Sequence, residues 1–249
     1  MCGIAGVYNL NKAPISLNLL KEMAQIIEHR GPDGEGFYLN DEIGLAHRRL
    51  AILDTTARGV QPMTSKDSVW VVIFNGCIYN FLELKQELLA LGHTFVSGTD
   101  TEVIVEGLSA FGVSFFERLN GMFAIGAWNK ATETLYLSRD RFGIKPLYYW
   151  FNGKSFVFSS EIKAIILHPD YKMEVDLDAL NQYFTFQNVF SYNTLFKGVS
   201  MLPPANTIEL NSDTTEISLH SWWDFDFSNP DESISFEDSK ILTKEYFEK

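Results

Sequence analysis

The chain has 249 residues, enough for one large domain or two small ones, and its 46% apolar content with 20 Phe can furnish a substantial core. A net charge of -12 and a sequence pI near 4.8, with no local basic run, exclude nucleic acid and anionic membrane surfaces as partners, because both are bound through basic faces. Apolar runs such as VWVVIF are too short to cross a bilayer, no signal peptide opens the chain, and two cysteines with five scattered histidines form neither a disulfide framework nor a metal site, so a cytoplasmic protein without metal is expected.

Residues 1–8 read as a first strand. Leu19, Leu20, Met23, Ile26 and Ile27 then recur on one helical face, with Ser16 as the expected cap and Gly31 as the stop. GFYL, IGLAH and LAILD (50–54) are expected to form short strands between turn residues, and SVWVVIF a longer strand running into Asn75-Gly76. Two helices follow. One covers about 81–91 and stops at Gly92; the other opens at TDTE, where Thr99 and Glu102 have capping-box spacing. A second strand set comprises GMFAIGAW, TLYLSRD, LYYW and SFVFSS, with turns at Asn129-Lys130 and Asn152-Gly153. Two strand groups with helices between them imply stacked layers around mixed or antiparallel sheet. Residues 225–239, rich in Ser and acids, read as a surface linker, and 240–249 as a helix that has barely begun.

Cys2 directly follows the initiator methionine. Removal of Met1 would leave a thiol and a free α-amine on one residue, a nucleophile beside a base whose ordinary pKa lies near 7.7 to 8.0. Polar fragments elsewhere complement it, although each also has a plain structural reading. HRGPDG (29–34) can be a helix terminus and turn, Asn75-Gly76 a hairpin turn, and Asp100 a first-turn helix acid. Together they supply what acyl transfer from an amide requires. An Asn side chain next to a Gly backbone N–H offers two donors for an oxyanion, and Arg with Asp can clamp the carboxylate and amine of a zwitterionic amino acid.

In order, MCGIAGVY, HRGPDG, AHRRLAILD, FNGCIYN, GTDTEVI, LNGMFAIGAW, RDRFGIKPLYY and SSEIKAI resemble the N-terminal glutaminase domain of asparagine synthetases, class II glutamine amidotransferases of the N-terminal-nucleophile type. The likeness runs from Met1 to about Leu210. It implies an α+β fold of four αββα layers, two antiparallel sheets between helical layers. It further implies that Cys2 attacks the side-chain amide of L-glutamine to form a γ-glutamyl thioester, with its α-amine as proton shuttle. Asn75 and the Gly76 N–H would form the oxyanion hole. Arg49 would hold the substrate α-carboxylate, the backbone of Leu50, Ala51, Ile52 and Leu53 would line the same pocket, and Asp100 would hold the α-amine. HRGPDG and RDRFGIKPLYY would order loops and contact a neighbouring domain.

Two departures from the family pattern stand out. Where NGEIYN is usual the chain reads NGCIYN, so Cys77 replaces a glutamate that helps hold the substrate amine. No SGGxDS pyrophosphate loop and no GxxxxGK cradle occurs, so no cofactor is expected in this chain, and ATP and Mg are expected in a synthetase domain acting in cis or in trans. Residues 1–212 are the expected amidotransferase domain and 213–249 an acidic linker with the start of a following helix; a homodimer stays open. The alternatives are a non-catalytic glutamine-binding or regulatory module, and an amidotransferase serving a carboxylate other than aspartate.

Overall fold

The computed structural model describes residues 1–214, 216–228, 230 and 233–248. In chain order its elements are β1 (Gly3–Asn9), α1 (Leu17–Ile26), β2 (Gly34–Asn40), β3 (Ile43–Arg49), β4 (Met63–Thr64), β5 (Trp70–Ile78), α2 (Phe81–Ala90), α3 (Asp100–Phe111) and α4 (Phe115–Arg118). There follow β6 (Gly121–Asn129), β7 (Thr134–Arg139), β8 (Tyr148–Phe151), β9 (Ser155–Ser159), α5 (Ile162–Ile165), α6 (Leu177–Phe186), β10 (Val199–Met201), β11 (Asn206–Leu210), β12 (Leu219–Ser221) and α7 (Phe236–Glu248).

The strands form two six-stranded antiparallel sheets, ordered β10-β8-β9-β1-β3-β2 and β12-β11-β7-β6-β5-β4. Strand alternation sorts their side chains into separate cores. Ile4 and Tyr8 of β1, Ile43 and Leu45 of β3, and Val71 and Ile73 of β5 meet between the sheets with Trp128 and Phe158. The opposite face of β5, with Val72, Phe74 and Ile78, is covered by α2 and α3 through Leu84, Leu88, Val103 and Ile104. Ala5, Val7 and Ala46, on the outer face of the other sheet, are covered by α1 and α5 through Leu20, Met23 and Ile165. The result is the expected α+β sandwich of four αββα layers.

Several local expectations are corrected. LAILD forms no strand; residues 50–54 are a loop wrapped around the Arg49 side chain, and that guanidinium takes the carbonyls a ladder would have used. Asn75-Gly76 is not a turn but lies inside β5, paired with Ala124 and Phe123 of β6. Ser16 occupies the N-cap position of α1 without a side-chain cap bond. The capping box at α3 is half formed: Thr99 Oγ1 accepts from Glu102 N–H, but the Glu102 carboxylate turns to the N–H groups of Val96 and Ser97. Helix α6 and strands β10 to β12 were not among the expected elements. β12 continues the second sheet beyond residue 212, and Trp222 just after it stacks on Phe123. Of the expected linker, residues 229, 231 and 232 lie outside the described residues. Among the described residues no helix is long and apolar enough to cross a membrane, and none forms a cluster able to hold a metal ion.

Candidate active site

The alternation that fills the core also builds the site. Cys2 continues the inward row of Ile4 and Tyr8, His47 and Arg49 continue that of Ile43 and Leu45, and Asn75 and Cys77 continue that of Val71 and Ile73. Where the apolar rows run out, at the open end between the sheets, these polar side chains meet. Cys2, Arg49, Asn75 and Cys77 line a pocket of about 290 Å³ with Leu50, Ile52, Leu53, Gly76 and Asp100, near the lower end of the size range of small-molecule sites, while His47 lies buried outside its lining. Of the residues expected at the site only Ala51 stays outside; its N–H donates instead to Asp33 Oδ2 at 2.9 Å.

Cys2 is seated by two of the sequence fragments. Arg30 of HRGPDG donates from Nε to the Cys2 carbonyl at 3.1 Å and from Nη1 to Glu161 Oε1 at 3.1 Å, so SSEIKAI supports it from behind. Gly31 lets this turn approach β3, since a Cβ there would lie 2.3 Å from the Arg48 carbonyl oxygen. The Leu50 N–H donates to Cys2 Sγ at 3.4 Å. Burial pushes the Cys2 thiol above its ordinary value and the Asp100 carboxylate pushes the same way, while the Leu50 N–H, the N-terminal amine and Arg49 pull against them. A thiol raised in this way is protonated at neutral pH and needs a base before it can attack.

On the facing sheet, the outer edge of β5 is the informative feature. Phe123 spends its own N–H and C=O on Asp140, so its β5 partner Gly76 is left facing away from β6. Phe74 and Ile78 share that orientation: Phe74 N–H donates to Gln61 Oε1 at 2.6 Å, and Ile78 N–H to Asp100 Oδ2 at 3.0 Å. Gly76, between them, presents its N–H on the same edge, toward the pocket it lines. Only glycine fits there, because a Cβ would lie 2.2 Å from the Met122 carbonyl oxygen. Beside it the Asn75 side-chain amide nitrogen is buried without a hydrogen-bond partner among the described residues.

Asp100 is thus more than a first-turn acid of α3. Burial raises its carboxyl above the ordinary range against the N–H groups of Ile78, Thr101 and its own backbone. Arg49 donates from Nη1 to the Thr56 carbonyl at 2.8 Å, and from Nη2 to the carbonyls of Leu53 and Asp54. Gly59 lies against the same guanidinium. His47 is fully buried, donates from Nε2 to the Phe74 carbonyl at 3.2 Å, and has its pKa lowered to about 3 by burial. It pins the Cys2 sheet to the Asn75 sheet. Sequence reading missed Gln61, His47 and Lys145 as parts of this region. The AHRRL and RDRFGIKPLYY fragments held the last two, but nothing in them says which side chains turn inward.

The family model described as a glutamine amidotransferase domain matches residues 1–223. Asparagine synthetase (glutamine-hydrolyzing) 1 of Bacillus subtilis is 39% identical over 86% of this chain and 34% of its own length. The putative asparagine synthetase (glutamine-hydrolyzing) 2 of Methanocaldococcus jannaschii is 34% identical over 97% of this chain and 49% of its own. The chain therefore spans about a third to a half of the length of these relatives. Among solved structures, the glutamine phosphoribosylpyrophosphate amidotransferase of Bacillus subtilis shares 18% identity with a TM-score of 0.63, over 88% of this chain and 49% of that one, a likeness of fold alone. With the family match covering most of its residues, the chain belongs to the glutamine amidotransferase domain family.

Proposed function

We propose that the protein hydrolyses L-glutamine to glutamate and ammonia and that the ammonia serves the amidation of a carboxylate, aspartate first among them, by a synthetase domain that binds ATP and Mg. The observation that carries the reading is the buried Asn75 amide nitrogen, which has no hydrogen-bond partner among the described residues and shares one pocket with the Cys2 thiol. A buried donor left unpaired costs about 1 to 3 kcal/mol, and a charge that develops only during reaction explains its retention. After loss of Met1 the Cys2 α-amine takes the thiol proton. The thiolate attacks the glutamine Cδ, and negative charge on the amide oxygen meets Asn75 Nδ2 and the Gly76 N–H. The amine then protonates the leaving nitrogen as the C–N bond breaks, releasing ammonia and leaving a thioester that water hydrolyses to glutamate. Arg49 and Asp100 hold the substrate carboxylate and ammonium. Cys77 supplies no carboxylate beside Asp100, which leaves Asp100 as the main anchor of the amine.

The test is a glutaminase assay on protein whose loss of Met1 is verified by intact mass. Turnover is expected only from the processed form, and Cys2→Ala should abolish it while calorimetry still detects glutamine binding. Full activity from protein that retains Met1 would overturn the mechanism. Binding without turnover by the processed protein would favour a regulatory module.

A further inference from the structure

Lys145 is a buried cation in the pocket without a carboxylate partner among the described residues. The residue is 5% exposed, and its backbone is locked by Asp140 Oδ2, which accepts its N–H at 3.0 Å, and by Arg139 Nε, which donates to its carbonyl at 2.7 Å. Among the described residues its ammonium makes one side-chain contact, to the Met1 sulfur at 3.2 Å, and no ion pair. A thioether is a weak acceptor, and processing would remove it. The ammonium would then face the volume that Met1 vacates, next to the released α-nitrogen of Cys2.

We infer that Lys145 is a positioning residue whose charge keeps the processed Cys2 α-amine neutral and able to accept a proton. This rests on the glutaminase reading, in which that amine is the base. The Met1 sulfur is five bonds from the Cys2 nitrogen, so a 3.2 Å contact to it puts Nζ within about 10 Å of that nitrogen. Two like charges at that separation, with a dielectric near 20, lower the amine pKa by about one unit.

The other charges around the amine are paired or become so. Arg30, on the Cys2 carbonyl, is matched by Glu161, which also holds His29 and Lys163. Asp140, behind Lys145, is engaged by the N–H groups of Phe123, Phe142, Ile144 and Lys145 and lies beside Arg139. His47 is neutral. In the free protein Arg49 and Asp100 act on Cys2 with opposite signs and are the same in every variant compared, and the thiols of Cys2 and Cys77 are both raised by burial. No carboxylate among the described residues compensates Lys145, and its charge pulls the Cys77 thiol downward.

The experiment compares Lys145→Met and Lys145→Arg with the parent, all freed of Met1. The acid limb of kcat/KM reports the free-enzyme base; in Lys145→Met it should move up by about one pH unit, and in Lys145→Arg it should stay. A readout that needs no turnover is the NMR titration of the Cys2 α-carbon in protein carrying 13C-cysteine on a Cys77→Ser background, with the same shift expected. Lys145→Gln replaces the Met variant if the latter does not fold. The inference is overturned if the neutral variant titrates where the parent does, or if the Arg variant moves as far as the neutral one. A protein that titrates as expected but leaves glutamine intact would overturn the glutaminase reading instead.

Discussion

Replacing Asn75 by alanine separates a transition-state donor from a structural one. The Asn75 amide nitrogen has no partner among the described residues, so its removal breaks no hydrogen bond there. Relief of an unpaired buried donor is worth about 1 to 3 kcal/mol, and the lost packing of a side chain only 1% exposed costs a similar amount. The unfolding free energy should therefore change by no more than about 1 kcal/mol. In catalysis the same nitrogen meets charge that exists only after attack, and loss of one such donor costs about 3 to 4 kcal/mol, a 100- to 1000-fold fall in kcat. KM should barely move, because ground-state glutamine does not depend on that contact. Steady-state glutaminase kinetics and urea unfolding on the same preparation check both halves. A raised KM with unchanged kcat would refute the oxyanion role. A stability loss above about 3 kcal/mol would show that the amide is a structural pin.

Two further outcomes are expected. Arg49→Lys should raise KM for glutamine by about 100-fold and expose residues 50–58 to limited proteolysis, because a point charge replaces the fork that serves the substrate and the carbonyls of Leu53, Asp54 and Thr56; a KM change without faster cleavage would mean that the loop is held otherwise. His47 stays neutral in the fold down to about pH 3, whereas the unfolded chain takes up its proton below about 6.5, so its contribution is complete above 6.5 and falls as pH drops toward 3. Between about pH 7.5 and 5.5 the parent should lose about 1.4 kcal/mol more stability than His47→Asn in urea unfolding, and equal losses would refute the assignment.

What could be read in advance followed the reach of each signal. β1, α1, β5 and α3 announce themselves through short apolar runs, an apolar helical stripe or the Thr99 cap, all of which act within a few residues. LAILD has a strand-like composition, but Arg49 collects the loop carbonyls around one guanidinium, and that is a tertiary choice. Glu102 likewise leaves the capping box to hold Val96 and Ser97. The grouping of Cys2, Arg49, Asn75, Gly76 and Asp100 was legible from residue chemistry and family likeness taken together. Lys145 was not, because its inward turn depends on Asp140 and Arg139 gripping a loop that composition marks only as polar.

The edge of β5 also bears on register and on solubility. Strand edges with free N–H groups invite pairing with foreign strands, yet here the Gln61 side chain and the Asp100 carboxylate occupy the positions on either side of Gly76. A single donor remains between two stoppers, too short a vacancy to template another chain. Its direction depends on parity. A slip of one residue between β5 and β6 would turn every other N–H the opposite way and send Asn75 to the helical face. Two glycines oppose that slip, Gly76 against the Met122 carbonyl and Gly121 against the Cys77 carbonyl, each so close that a Cβ would lie 2.2 Å from the oxygen. The pairing that closes the sheet therefore also aims the hole, and a substitution at Gly121, which touches neither thiol nor substrate, would misdirect it.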